Sequence, residues 1–294
     1  MIIANLKGGL GNQMFQYACG RALALRNAAK GAPNELKLDA TGYARMATAD
    51  TPRSYALGVF DIKAELASPK EVFHLKYPFG IISKGWRFFR AKVLRRFYIG
   101  FFPSVLSWRG NVYLDGFWQT EKYFKDFEKE IRADFTPKKP LETAAAQWHD
   151  KISHDPYAVS LHIRRGDYAS DKATNRHWGT CDLDYYDRAL ARIAEKVPKP
   201  NIYVFSDDMA WVKENLATDF PISFIPAPPE VADHEAILLM AACKHNIIAN
   251  SSFSWWGAWL NQNPAKMVIA PSRWANEHNE DWYADIIPES WTRL

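Results

Sequence analysis

The stretch Tyr157-Ala158-Val159-Ser160-Leu161-His162-Ile163-Arg164-Arg165-Gly166-Asp167 decides the fold class of this chain. Its first seven residues form a largely apolar run, the mark of a strand buried on both faces, and the run stops abruptly in a polar cluster. Downstream the texture repeats. Residues 185–197 have helical spacing, 202–205 read as a short strand ending at Ser206-Asp207-Asp208, and 211–216 are helical. Residues 222–225 read as strand, 235–243 as helix, 247–249 as strand ending at Asn250-Ser251-Ser252, 255–260 as helix and 267–270 as a last strand. Strands alternating with helices imply an α/β architecture with a parallel sheet wrapped by helices. Ligands of such sheets bind at the carboxyl ends of the strands. Three polar clusters fall at three such ends, so the fold should gather them on one rim.

Upstream, Phe135-Thr136-Pro137-Lys138-Lys139-Pro140 breaks regular structure and divides the chain into predicted domains of residues 1–140 and 141–294. The first opens as strand, glycine loop and helix: residues 2–6, Gly8-Gly9-Leu10-Gly11, then helical spacing from Asn12. Leu36–Asp39 and residues 112–117 read as strands and 121–131 as helix, while about 52–110 shows no regular pattern. The glycine loop falls short of a dinucleotide fingerprint because Met14 stands where the third glycine belongs. A P-loop Gly-Lys-Ser/Thr is absent from the sequence.

With 48% apolar and 24% charged residues in 294, a folded protein is expected rather than a disordered one. The net charge of +4 is too small to point to nucleic acid, but it suits an anionic small molecule. The three cysteines, Cys19, Cys181 and Cys243, form no CxxC pair, so neither a disulfide framework nor a structural zinc site is expected. No charged leader with an apolar stretch opens the sequence, and no segment spans a bilayer, so a cytoplasmic, bacterial protein is expected. The twelve Trp offer stacking faces for sugars, although for any single Trp a place in the core is the simpler reading.

Arg164 and Arg165 follow a buried strand, where adjacent guanidiniums suit phosphate oxygens through paired hydrogen bonds. Gly166 would let the backbone turn tightly and Asp167 would lock one arginine. Asp207 and Asp208 have three readings: metal ligand, helix cap, or acceptor for a base or ribose, with capping expected for at least one. Asn250-Ser251-Ser252-Phe253-Ser254 begins a helix, whose free N–H groups and dipole favour phosphate; ordinary capping explains the same residues.

The ordered set of motifs resembles the bacterial α-1,2-fucosyltransferases, glycosyltransferase family 11. The resemblance rests on Gly8-Gly9-Leu10-Gly11-Asn12-Gln13-Met14-Phe15-Gln16-Tyr17-Ala18, on Asp115-Gly116-Phe117-Trp118-Gln119 and on His162-Ile163-Arg164-Arg165-Gly166-Asp167-Tyr168. Phe205-Ser206-Asp207-Asp208 with Trp211, Cys243-Lys244-His245-Asn246 and Ser251-Ser252-Phe253-Ser254-Trp255-Trp256 complete it. It covers nearly all of the chain except about 45–110. The resemblance implies a GT-B-like fold, two Rossmann-like domains with parallel sheets facing a central cleft, the acceptor held by the first and the nucleotide by the second. It implies GDP-β-L-fucose as donor, an inverted α-linked product on the 2-hydroxyl of a galactoside, and no metal or other cofactor. Arg164 would contact the diphosphate, with His162, Arg165 and Asp167 shaping that site. Asp207 or Asp208 would meet ribose or guanine, and Ser252 and Ser254 would donate to phosphate. Asn12 stands where related O-fucosyltransferases place a functional Asn. In one place the sequence departs from the pattern: Ala236 stands where the family often carries an acidic residue, with Asp233 and Glu235 nearby.

Arg164 and the Ser254 helix terminus are therefore expected to stabilise departing GDP. Asp115, Glu121, Asp167 and His177 are candidates for the base that takes the acceptor proton. Residues 84–109 are basic, aromatic and free of acids, which fits peripheral contact with an anionic membrane leaflet carrying lipid-linked glycans; a solvated helix face fits as well. Lactose-like sugars, N-acetyllactosamine types and lipid-linked O-antigen repeats all stand as acceptors. Competing readings are a transferase of another sugar nucleotide, a non-catalytic carbohydrate-binding protein and, more distantly, a dinucleotide oxidoreductase.

Overall fold

A computed structural model of the chain describes residues 1–46, 53–78, 80, 82, 100–276 and 283–294. Most of the basic stretch 84–109 lies outside them. The chain divides into two compact units, Met1–Lys138 with Asp281–Ile286, and Lys139–Glu280 with Ile287–Leu294. The sequence suggested a single crossing near residue 140; the chain instead returns to the first unit before it ends. Within that unit Lys122 Nζ pairs with Asp285 Oδ1 at 2.5 Å, which ties the returning segment down.

The first unit holds a parallel sheet in the order β3-β2-β1-β4. The strands are β1 (Ile2–Asn5), β2 (Leu36–Asp39), β3 (Glu65–Leu66) and β4 (Val112–Leu114). Helix α1 (Leu10–Ala28) follows β1 and buries Met14, Phe15, Ala18, Ala22 and Leu23. Two short helices follow, α2 (Tyr43–Met46) and α3 (Pro69–Lys76). The latter begins with a capping box, Ser68 and Glu71 each accepting from the other's backbone N–H. The expected helix over 121–131 is instead two 3₁₀ turns, Glu121–Tyr123 and Lys125–Phe127, before α4 (Glu128–Asp134). Phe124, at φ −134°, breaks the run, and its fully buried ring packs on Phe15 at 6.2 Å. Here tertiary packing outweighs helical propensity.

The second unit holds a six-stranded parallel sheet, β10-β9-β8-β5-β6-β7. Its strands are β5 (Ala158–Ile163), β6 (Asn201–Ser206), β7 (Ile222–Phe224), β8 (His245–Ile247), β9 (Val268–Ala270) and β10 (Thr292–Arg293). The chain runs outward from β5 through β6 to β7, then returns to the other flank of β5 and runs outward again through β8, β9 and β10. That is the doubly wound order, and its switch point lies between β5 and β8. All six residues of β5 are buried. Val159, Leu161 and Ile163 pack with Ile202, Val204, Ile247 and Ile269, and each such aliphatic contributes about 1.5–3 kcal/mol by leaving water.

The helices of this unit are α5 (Thr143–His154), α6 (Gly166–Ser170), α7 (Lys172–Trp178), α8 (Leu183–Ala194), α9 (Met209–Asn215), α10 (Asp233–Ala242) and α11 (Ser252–Leu260). Asp182 caps α8, whose Tyr185, Tyr186, Ala189, Leu190 and Ile193 form one stripe onto the sheet. Helices α10 and α11 touch closely: a Cβ added at Gly257 would stand 2.6 Å from Met240 Cβ. Among the described residues no helix is long and apolar enough to cross a membrane.

Candidate functional site

The carboxyl end of β5 delivers Arg164 and Arg165 to the switch point, and the neighbouring end of β6 delivers Asp207 and Asp208. Arg164 lies between two carboxylates, Nη2 on Asp167 Oδ1 at 2.5 Å and Nη1 on Asp207 Oδ2 at 2.6 Å. The backbone N–H of Arg165 donates to Asp207 Oδ1 at 2.8 Å, and its Nε donates to Asp208 Oδ2 at 3.2 Å. Each guanidinium also meets an aromatic ring: Arg165 lies 3.6 Å from the Trp211 ring centre and Arg164 5.0 Å from that of Tyr168. Tyr168 in turn stacks on Trp178, interplanar angle 9°. Asp208 also caps α9 by accepting from Trp211 N–H, so capping falls to Asp208, while Asp207 clamps the two arginines.

Gly166 does not serve as the tight turn suggested by sequence. It lies outside the left-handed region, and what it supplies is space: a Cβ there would stand 2.3 Å from Asp207 Oδ2. Since Asp207 is held at both oxygens, it has little freedom to retreat.

His162, one residue inside the strand end, is 4% exposed. Burial pushes its pKa down to about 4, with the Arg164 charge adding to the effect and Asp207 opposing it. The imidazole is therefore neutral near pH 7. Its Nδ1 has no hydrogen-bond partner among the described residues. Its ring meets Phe253, in the first turn of α11, at 5.6 Å. That contact joins the arginine cluster to the start of the helix that follows β8.

Ser251 caps α11 by accepting from Phe253 N–H. Ser252 is half-buried. Ser254 departs from expectation: it is fully buried, and its hydroxyl donates back to the Ser251 carbonyl at 3.4 Å. Helical phase turns it into the packed face with Trp255 and Trp256, so it does not present a donor to solvent. Asn250 is a clamp, Nδ2 donating to the carbonyls of Trp178, Gly179 and Trp274. Of the acids near Ala236, Asp233 is exposed. Glu235 is buried, its oxygens taken by the backbone N–H groups of Glu142 and Ala232. The buried acid beside Ala236 is thus a structural acceptor.

The first unit's sheet has its own switch point, between β1 and β4. Asp115, at the end of β4, accepts from Asn5 Nδ2 and Lys7 Nζ, both at 2.8 Å. Strand β4 ends at Leu114, short of the residue 117 that sequence suggested. Asn12 lies in the first turn of α1, and its Oδ1 accepts from Gln119 Nε2 at 2.7 Å. Gly8 has φ +75°, and a Cβ there would stand 2.5 Å from Asn12 Nδ2. Trp118 holds φ 56°, a left-handed conformation costing about 1–2 kcal/mol for a residue with a side chain. Its fully buried ring, edge-on to Tyr123 at 5.6 Å, offsets that cost.

His162, Arg164, Arg165, Asp167, Asp207 and Asp208 thus form one connected cluster, with Ser252 and Ser254 in the helix turn that His162 touches. Asn12 and Asp115 belong to the first unit's strand ends. Glu121 opens a 3₁₀ turn, and the His177 ring packs edge-on to Trp178 at 4.6 Å. Sequence reasoning named Gln119 and Trp211 only as motif residues, without their partners, and did not name Lys7; the polar residues bracketing a strand end were the available signal for Gln119 and Lys7. Among the described residues no group of three or more His, Cys, Asp or Glu is placed to hold a metal ion.

The profile of the family described as Glycosyl transferase family 11 matches residues 1–294. An α-1,2-colitosyltransferase of Escherichia coli is 33% identical over 302 residues, spanning 100% of this chain and 99% of that one. The O-antigen biosynthesis glycosyltransferase WbnK of Escherichia coli is 31% identical over 98% of this chain and 99% of its own length. Among solved structures, the fucosyltransferase NodZ from Bradyrhizobium resembles the fold, with TM-score 0.52 at 12% identity over 87% of this chain and 91% of that one. The two units are thus the GT-B-like pair of Rossmann-like folds.

Proposed function

The chain belongs to glycosyl transferase family 11, and from that premise we propose that it transfers L-fucose from GDP-β-L-fucose to the 2-hydroxyl of a galactoside with inversion. The observation that carries this reading is the pairing of Arg164 and Arg165 with the start of α11 at the switch point between β5 and β8. That is where a doubly wound sheet takes a nucleotide, and guanidiniums beside a helix N-terminus are chemistry for a diphosphate.

In the mechanism, Arg164 exchanges its contact with Asp207 or Asp167 for a β-phosphate oxygen. The bond from fucose C1 to that phosphate breaks, and GDP leaves with the electron pair. Arg164, Arg165 and the first N–H groups of α11 stabilise the charge GDP gains, without a metal ion. The acceptor 2-hydroxyl attacks C1 from the opposite face and gives its proton to a base, for which Asp115, Glu121, Asp167 and His177 are the candidates. The first unit holds the acceptor. Neutral His162 presses on the turn that carries Ser252. The name of one relative, the O-antigen biosynthesis glycosyltransferase WbnK, supports an O-antigen glycan as the acceptor.

A second reading has one observation in its favour, the likeness to the colitosyltransferase. Colitose is fucose without its 3-hydroxyl, so the two donors share every group that the arginine cluster would meet. Purified protein incubated with galactosides, EDTA and either GDP-fucose or its 3-deoxy counterpart tests both readings. GDP release with an α-1,2-linked product is expected. Release only with the 3-deoxy donor would transfer the assignment to colitose. No release with either, and no GDP binding by calorimetry, would overturn the donor site.

A further inference from the structure

We propose that Gln119 is a positioning residue that turns the Asn12 amide so that its Nδ2–H faces a sugar oxygen of the acceptor. This rests on the reading of the first unit as the acceptor side. Four observations converge on it. The first is a comparison among the amides at the start of α1. Gln13 is fully buried with both ends committed: Nε2 to the carbonyls of Gly8 and Ser54, Oε1 to Ala56 N–H. Gln16 is committed in the same way, to both backbone groups of Lys7. Asn12 is half-buried and committed at Oδ1 alone; among the described residues its Nδ2 has no hydrogen-bond partner.

The second is Gly8, whose left-handed backbone leaves room for that Nδ2 where any Cβ would collide. The third is Trp118, which holds an unfavourable φ while fully buried, and the residue it delivers is Gln119. Strain kept in a buried loop is explained when it places a side chain that nothing else could place. The fourth is location. Asn12 follows the end of β1, and Gln119 follows the end of β4, so the pair sits at this sheet's switch point, where small ligands bind. Together they make Asn12 a half-satisfied amide with its acceptor end locked and its donor end lying over Gly8 with no hydrogen-bond partner among the described residues. That is the complement of a hydroxyl or ring oxygen on a neutral sugar, and it carries no charge to attract phosphate.

The test uses Gln119→Glu at pH 8. The ionised carboxylate accepts but cannot donate, so Asn12 must turn over and present Oδ1 instead. Expected is a fall of about tenfold or more in kcat/KM for a galactoside, with GDP affinity by calorimetry unchanged within twofold. Asn12→Ala should cost a similar factor, and Gln119→Glu placed upon it should cost nothing further, a coupling that a merely structural residue lacks. Additive losses, or a loss carried by GDP affinity, would overturn the inference.

A second readout does not depend on turnover. In protein labelled with ¹⁵N-asparagine, methyl β-galactoside should shift the Asn12 side-chain amide pair, assigned by its disappearance in Asn12→Ser. The shift should vanish in Gln119→Glu. A pair that ignores the sugar in wild type, or follows it equally in the variant, sinks the proposal. If the wild type moves that signal yet transfers no fucose, the donor reading fails and the positioning role stands.

Discussion

The two sheets solve the same geometric problem with opposite chemistry. Each is parallel, each has a switch point, and each places polar side chains at the carboxyl ends flanking it. At the second unit's edge the groups are charged and densely compensated: two guanidiniums, three carboxylates and an aromatic plate for each arginine. At the first unit's edge they are mostly amides, with Lys7 and Asp115 the one ion pair among the residues named there. Fold alone therefore says where a ligand goes, and the side chains say what kind it is. Compensated arginines can exchange a carboxylate for a phosphate at little electrostatic cost, whereas amides suit neutral hydroxyls.

The largest expected effect comes from breaking the charged edge. Arg164→Ala should lower kcat/KM by about 100- to 1,000-fold in a GDP-release assay. Arg164→Lys should recover little of it, because an ammonium cannot span Asp167 and Asp207. Activity within a few-fold of wild type in Arg164→Ala would make the two edges equivalent and remove the leaving-group role.

The next effect concerns pH. His162 has a folded pKa of about 4 against an ordinary 6.5, so between those values the unfolded chain binds more protons. Stability from this group is complete above about pH 6.5 and is lost as pH falls towards 4, by about 3 kcal/mol in all. His162→Phe should flatten that acid limb in melting temperature measured against pH. An unchanged limb would place the titration elsewhere.

The amide edge should answer to backbone chemistry instead. Gly8→Ala is expected to cost about 1–3 kcal/mol in denaturant unfolding, from its positive φ and the crowding of Asn12. Gly166→Ala, with no left-handed backbone to strain, should weaken GDP binding far more than it lowers stability. If both variants lost only stability, the contrast between a spatial and a conformational glycine would be wrong. The smallest effect is Trp211→Leu. Removing the ring beneath Arg165 should weaken GDP binding about fivefold, a cation–π contact of about 1 kcal/mol.

Much of the second unit was legible because its strands are short apolar runs that stop in polar clusters. Residues 157–163, 202–205 and 222–225 all became strands with no end shifted by more than one residue. Helix starts were placed late for a shared reason: Asp182, Asp208 and Ser251 supply caps, and the first turn after each cap carries little periodicity. In the first unit, 121–131 misled because Phe124 leaves helical geometry to fill the core. Helix α3 was announced by Ser68 and Glu71, a capping box within the stretch that looked irregular. For the candidate site, residue types were legible and orientations were not. Which aspartate caps, where the Ser254 hydroxyl turns and what Gly166 makes room for all depend on contacts across strands.

The last stretch of the chain carries a consequence for anyone wishing to divide the protein. Asp281–Ile286 belongs with the first unit, while residues 292–293 add the outermost strand to the second unit's sheet. A cut between Lys138 and Lys139 therefore leaves the amino-terminal piece without a segment it packs against and the carboxyl-terminal piece carrying that segment as an orphan. The cut thus trims the first unit, while the second keeps all six strands of its sheet.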